Sequence, residues 1–177
     1  MTSGTDPTRD AWESAAVRLL DDVYTFVATG PRTPADWRSD ALTVLNRRTE
    51  DPRGWRTLDW DTHEEGRTSF PFRPLSPDTL ADHLRETTRE HATRLLEIMA
   101  AEWESYPPRT PETATRRAAD AHLLLARYGD EATYHTNVTK LGDRVSGWWP
   151  FTDYTGDFGF IVVSPEEVGV FWAFDAR

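Results

Sequence analysis

The stretch from Trp148 to Asp175, WWPFTDYTGDFGFIVVSPEEVGVFWAFD, constrains the fold more tightly than any other part of the chain. It holds nine of the chain's 21 aromatic residues. Two runs within it, Asp157 to Val163 and Val168 to Phe174, are rich in β-branched and aromatic residues and suit a pleated surface. Ser164-Pro165-Glu166-Glu167 separates them. The proline presets φ for the second position of a type I turn, and two glutamates suit a solvated loop. A loop of this length sets Val163 opposite Val168, Ile161 opposite Val170, Phe160 opposite Phe171 and Gly159 opposite Trp172. A glycine in the last pair leaves room for the indole. Both faces of each run are apolar, which predicts a central hairpin covered on both sides. A lone hairpin is marginal in water. Val145 to Thr152 is therefore expected as a third strand, with Pro150 placing it at an edge or a bulge. Asp153-Tyr154-Thr155-Gly156 then turns into the hairpin.

Upstream the patterning is helical. Asp6-Pro7 opens a first helix. Trp12, Ala15, Ala16, Leu19, Val23, Phe26 and Val27 follow at helical spacing up to Gly30-Pro31. A second helix starts at Thr33-Pro34 and stops near Arg48. Residues 49–75 read as a long irregular segment with a short strand between Trp55 and Trp60. Ser76-Pro77 opens the longest helix, to about Glu104, with Leu80, Leu84, Thr87, His91, Leu95 and Ile98 on its stripe. Thr110-Pro111 starts a fourth, closed by Gly129. Thr133 to Val138 has the composition of another strand. Helices first and strands later predict an α+β class. The expectation is one domain over 1–177, with about four helices (6–128) packed on a C-terminal antiparallel sheet of three to five strands (131–175).

Several function classes are excluded or weakened. The 177 residues include no cysteine, so thiolate metal sites and thiol nucleophiles are ruled out. No apolar run approaches the ~20 residues of a membrane span. The first ten residues lack the pattern of a signal peptide, so a cytoplasmic location is expected. Net charge is −10, and no basic surface for nucleic acid is evident. Residues 129–177 are the most one-sided third, with 3 basic and 8 acidic groups. Such acidity suits a basic partner through electrostatic steering, or simply confers solubility.

Motifs for chemistry are sparse. Asp59, Asp61, His63, Glu64 and Glu65 are the densest set of oxygen ligands, but their spacing departs from a calcium loop. Solvated loop charge is the simpler account, and an acidic contact surface beside Trp55 and Trp60 the intermediate one. No two histidines lie four apart on a helix, no serine sits in a nucleophile elbow, and no glycine-rich phosphate loop precedes a helix. No catalytic residue, metal or cofactor is assigned. Trp148 and Trp149 are adjacent and point to opposite faces of a strand, one toward the core and one outward. An outward Trp beside Asp153, Tyr154 and Asp157 has the make-up of an interface anchor with an acidic rim.

Trp149-Pro150-Phe151, then Asp153, Gly156 and Asp157, an apolar strand, a short turn and Gly169-Val170-Phe171-Trp172 together resemble the SUKH superfamily. The resemblance covers about the last 30 residues. The earlier part of the chain lacks the glycine-rich turn that members place after their first helices. Many members are bacterial immunity proteins that bind and neutralise a cognate toxin, so the resemblance implies a non-enzymatic binder on an α+β sheet. The expected function is a protein-binding module, an immunity protein or inhibitor, that meets a basic toxin surface through Trp55, Asp59, Trp60, Asp61, Glu64, Glu65, Trp148, Asp153, Tyr154 and Asp157. Charge reversal at Asp153 and Asp157 is expected to slow that association. The rival expectation is a small metal-dependent hydrolase using His63 and nearby carboxylates, or a small-molecule-binding protein.

Overall fold

A computed structural model describes residues 7–21, 24–49, 58–59, 66–102 and 110–175. At its centre β7 (Gly156–Val163) and β8 (Glu167–Asp175) form the expected hairpin. Val163 pairs with Val168, Ile161 with Val170, Phe160 with Phe171 and Gly159 with Trp172. The turn closes through Ser164 N–H to Glu167 O at 2.9 Å, and the Ser164 hydroxyl accepts the Glu167 N–H at 3.0 Å. Glu166 is exposed, but Glu167 is buried and gripped by Arg127, with Nη2 to Oε2 at 2.9 Å. That corrects its reading as a solvated loop residue. A carboxylate taken out of water is tolerated because a buried guanidinium meets it through both Nε and Nη2.

The hairpin is flanked on both sides. β8 pairs with β1 (Thr25–Pro31), and β1 with β2 (Leu58–Asp59). β7 pairs with β4 (Thr133–Thr136), and β4 with β3 (Arg85–Thr87). The six-stranded sheet runs β2-β1-β8-β7-β4-β3 and is antiparallel throughout. A separate two-stranded sheet joins β5 (Val138–Leu141) to β6 (Val145–Trp148). Alternation along the strands divides the core in two. Phe158, Phe160, Val162, Phe171 and Ala173 face α1 (Pro7–Leu20), α4 (Arg89–Glu102) and α5 (Pro111–Ala126). Ile161, Val163, Val168, Val170, Trp172 and Phe174 face α2 (Trp37–Leu45), α3 (Pro77–His83), Phe72 and Phe151. The class is α+β, with strands mostly C-terminal and the hairpin covered on both faces.

Three expectations are corrected. The first helix ends at Leu20, and Phe26 and Val27 lie in β1 instead. Thr25 to Thr29 is buried on both faces of the sheet, so its apolar residues carry no period of two and happened to match a helical spacing. The long helix is two helices with β3 between them. Thr87 and Thr88 favour extended backbone, and the Thr88 hydroxyl caps α4 by accepting the His91 N–H at 3.2 Å. The stripe from Leu80 to Ile98 looked continuous, yet Leu80 packs in the α2/α3 core and Leu95 and Ile98 in the opposite one. The chain crosses from one face to the other at the edge strand β3. Last, Val145 to Thr152 is not the hairpin's third strand. β6 pairs with β5, and residues 149–152 are drawn away to bond elsewhere. The helical part read as 6–128 therefore contains β1, β2 and β3.

Candidate functional site

The segment after β6 is pinned to the end of the hairpin by two buried polar side chains. Asn137, fully buried between β4 and β5, holds Trp149 by its main chain. Its carbonyl accepts the Trp149 N–H at 3.0 Å, and its side-chain amide donates to Trp149 O at 2.8 Å. The same side chain accepts the Gly159 N–H at 2.9 Å, which ties the segment to β7. Two residues on, the Asp157 carboxylate accepts the N–H groups of Phe151 at 3.0 Å and Thr152 at 2.9 Å, and the Thr152 hydroxyl at 2.9 Å. Trp172 Nε1 donates to it at 3.3 Å. Burial pushes the Asp157 carboxyl above the ordinary carboxylate range, and the bonds from Phe151, Thr152 and Trp172 pull it the other way.

These anchors fix the side chains that follow. Phe151 turns inward and stacks on Trp172, centroids 5.2 Å apart and planes 9° apart. Trp149 turns outward and stacks on His83 at the end of α3, centroids 4.8 Å apart. At 44% exposure it is the exposed large hydrophobic residue among those described. Beyond it, the Asp153 N–H donates to Pro71 O at 3.1 Å, and Arg73 N–H to Phe151 O at 2.8 Å, so residues 71–73 and 151–153 run side by side. The Asp153 carboxylate is half-exposed and receives Arg67 and Arg73. The Arg67 hydrogen bond foremost, then Arg73, holds it below the usual carboxylate range. Tyr154 lies against Phe174, centroids 5.1 Å apart.

The structure brings only some of the expected residues together. Asp153 and Tyr154 follow Trp149 on the same pinned segment, Asp153 against Arg67 and Arg73 and Tyr154 against Phe174. Trp148 packs against the α1/α4/α5 core and is half-buried, so the outward member of the tryptophan pair is Trp149. Asp157 has no exposure at all, and it serves as an internal anchor instead of a rim charge. Asp59 is mostly covered and paired with Arg47, Nη2 to Oδ1 at 2.9 Å. Trp55, Trp60, Asp61, Glu64 and Glu65 lie outside the described residues, as does His63. Sequence reasoning missed His83, Arg67 and Arg73, which reach the site from 66–83, and no local pattern marks them.

No metal centre forms among the described residues. His83 serves Trp149, His91 Nδ1 bonds the Thr87 hydroxyl at 3.0 Å, and His135 stacks on Trp37 with centroids 4.3 Å apart. Among the described residues no helix is long and apolar enough to cross a membrane. Comparison with protein-family models, curated proteins and solved structures gives no match.

Proposed function

We propose that the chain is a non-enzymatic protein-binding module of the immunity-protein or inhibitor kind, docking a basic protein, such as a toxin, through the face that carries Trp149, Asp153 and Tyr154. The observation that carries this reading is the state of Trp149. Its ring is exposed, yet its backbone is held at both N–H and C=O by Asn137, and its ring rests on His83. An aromatic anchor already fixed in the free protein loses little freedom on binding, which is how interface hot spots gain affinity. The net charge of −10 supports a basic partner by steering. The resemblance to the SUKH superfamily falls on the same residues, Trp149-Pro150-Phe151 and Asp153, and supports the same class.

The test is affinity capture from native cell extract, run in parallel with the wild-type protein and with Trp149→Ala and Asp153→Arg. A single basic partner at near-equal amount, released by salt and lost from Trp149→Ala, is the expected result. A partner held equally by all three proteins removes this face from the reading. No partner, in an extract that contains candidate targets, removes the reading itself.

A further inference from the structure

On the opposite face of the sheet a cleft of about 270 Å³ opens between β3 and β5, and Arg85, His91 and Lys140 line it. Lys140 is the only lysine in the chain. Ion pairs occupy Arg47, Arg67, Arg73, Arg89 and Arg127, but neither Arg85 nor Lys140 pairs with a carboxylate among the described residues. The lining includes one acid, Glu86. It stands opposite His135 in the β3–β4 register, and His135 stacks on Trp37 of α2. Thr87 bonds His91 of α4. Alternation therefore directs residues 85 and 87 toward α4 and Glu86 to the other face. A protein with a net charge of −10 thus keeps two unpaired cations and a histidine at one concave place.

We propose that this cleft binds a small phosphomonoester, its phosphate held by Arg85 and Lys140 and its carbon skeleton laid on Leu95 and Leu141. Charge selects the headgroup. A phosphate monoester carries about −1.5 to −2 at neutral pH and balances two cations, whereas a carboxylate balances one. Guanidinium and ammonium groups are both established phosphate ligands. Size selects the remainder: the volume falls below the ~300–1,000 Å³ of pockets for drug-sized ligands. The apolar lining, Leu95 and Leu141 with Val138, suits a few carbons. The cleft is lined by other side chains than those of the protein-binding face.

The single lysine supplies the test. Reductive ¹³C-methylation of the full chain labels Lys140 and the terminal amine and keeps their charge. Glycerol phosphate, titrated at fixed ionic strength, is expected to shift the Lys140 signal saturably while the terminal signal stays in place. Arg85→Gln is expected to weaken that binding by about tenfold or more with the unliganded melting temperature unchanged. Inorganic phosphate is expected to bind more weakly than glycerol phosphate, and acetate not to compete. No saturable shift, an equal response to acetate, equal affinity for inorganic phosphate, or an unaltered titration in Arg85→Gln would each overturn the proposal.

Discussion

Gly159 and Trp172 face each other across the central hairpin so closely that a Cβ on the glycine would lie 2.6 Å from the indole Cδ2 and Cε3. The glycine is there because the ring is. The Phe171 carbonyl closes the space from the backbone side, so relief by rotating one side chain is blocked. Gly159→Ala should therefore destabilise the fold by about 1–3 kcal/mol, the range for overpacking a full core. Urea unfolding followed by tryptophan fluorescence reads this directly. A midpoint equal to wild type would show that the ring can yield.

Asp157→Asn should separate the anchor from the hairpin. Both carboxylate oxygens accept from donors, Oδ2 from Phe151 and Thr152 and Oδ1 from Phe151, Asn137 and Trp172, so the NH2 of a carboxamide faces a donor in either orientation. Each buried donor left unmet costs about 1–3 kcal/mol. Hydrogen exchange should accelerate at Phe151 and Thr152 ahead of the strand interior. Unchanged protection there would mean that these bonds do not hold the segment.

Trp149→Ala should leave stability within about 1 kcal/mol of wild type, because the ring lies at the surface and the main-chain bonds to Asn137 remain. Partner affinity should fall by about thirtyfold or more, the loss expected of a hot spot. His83→Ala should give a smaller loss, since it removes the support and keeps the anchor. Calorimetric titration with the captured partner separates the two. A larger loss in His83→Ala would assign the contact to the imidazole.

His135 gives a pH dependence of known sign. Burial lowers its pKa; Glu86 opposes this and Arg38 adds to it. The folded state therefore binds this proton less readily than the unfolded chain. The contribution to stability is present above the ordinary value of about 6.5 and is lost as pH falls through the lowered folded value. His135→Phe keeps a ring against Trp37 and removes the titration. Its urea midpoint should drop less than wild type between pH 7.5 and pH 5. Parallel drops would place the pH sensitivity elsewhere.

The hairpin was legible because all its determinants are local: two strand-forming runs, one proline turn and a glycine facing an indole. The caps at Ser76 and Thr110 were legible for the same reason, as each bonds an N–H three residues on. β1 was hidden because a strand buried on both faces has no alternation to read. β3 was hidden by apolar residues that belong to opposite cores. Which member of the tryptophan pair faces outward was not legible, because register shifts in the β5–β6 ladder disturb simple alternation near Trp148. Asp157 reads as one more surface acid until its partners Phe151, Thr152 and Trp172 fold around it. His83, Arg67 and Arg73 meet 149–153 only across 66 or more positions of chain.

The crossing at β3 brings two remote surfaces within one short step of backbone. His83, beneath Trp149, and Arg85, in the cationic cleft, are separated by Leu84 alone. Asn137, which clamps Trp149, lies between Thr136 and Val138, and both of these line the cleft. Opposite sides of the molecule thus share a wall one residue thick. Substitutions at sites this close are where additivity fails first, so a double-mutant cycle across His83 and Arg85 measures how rigid that wall is.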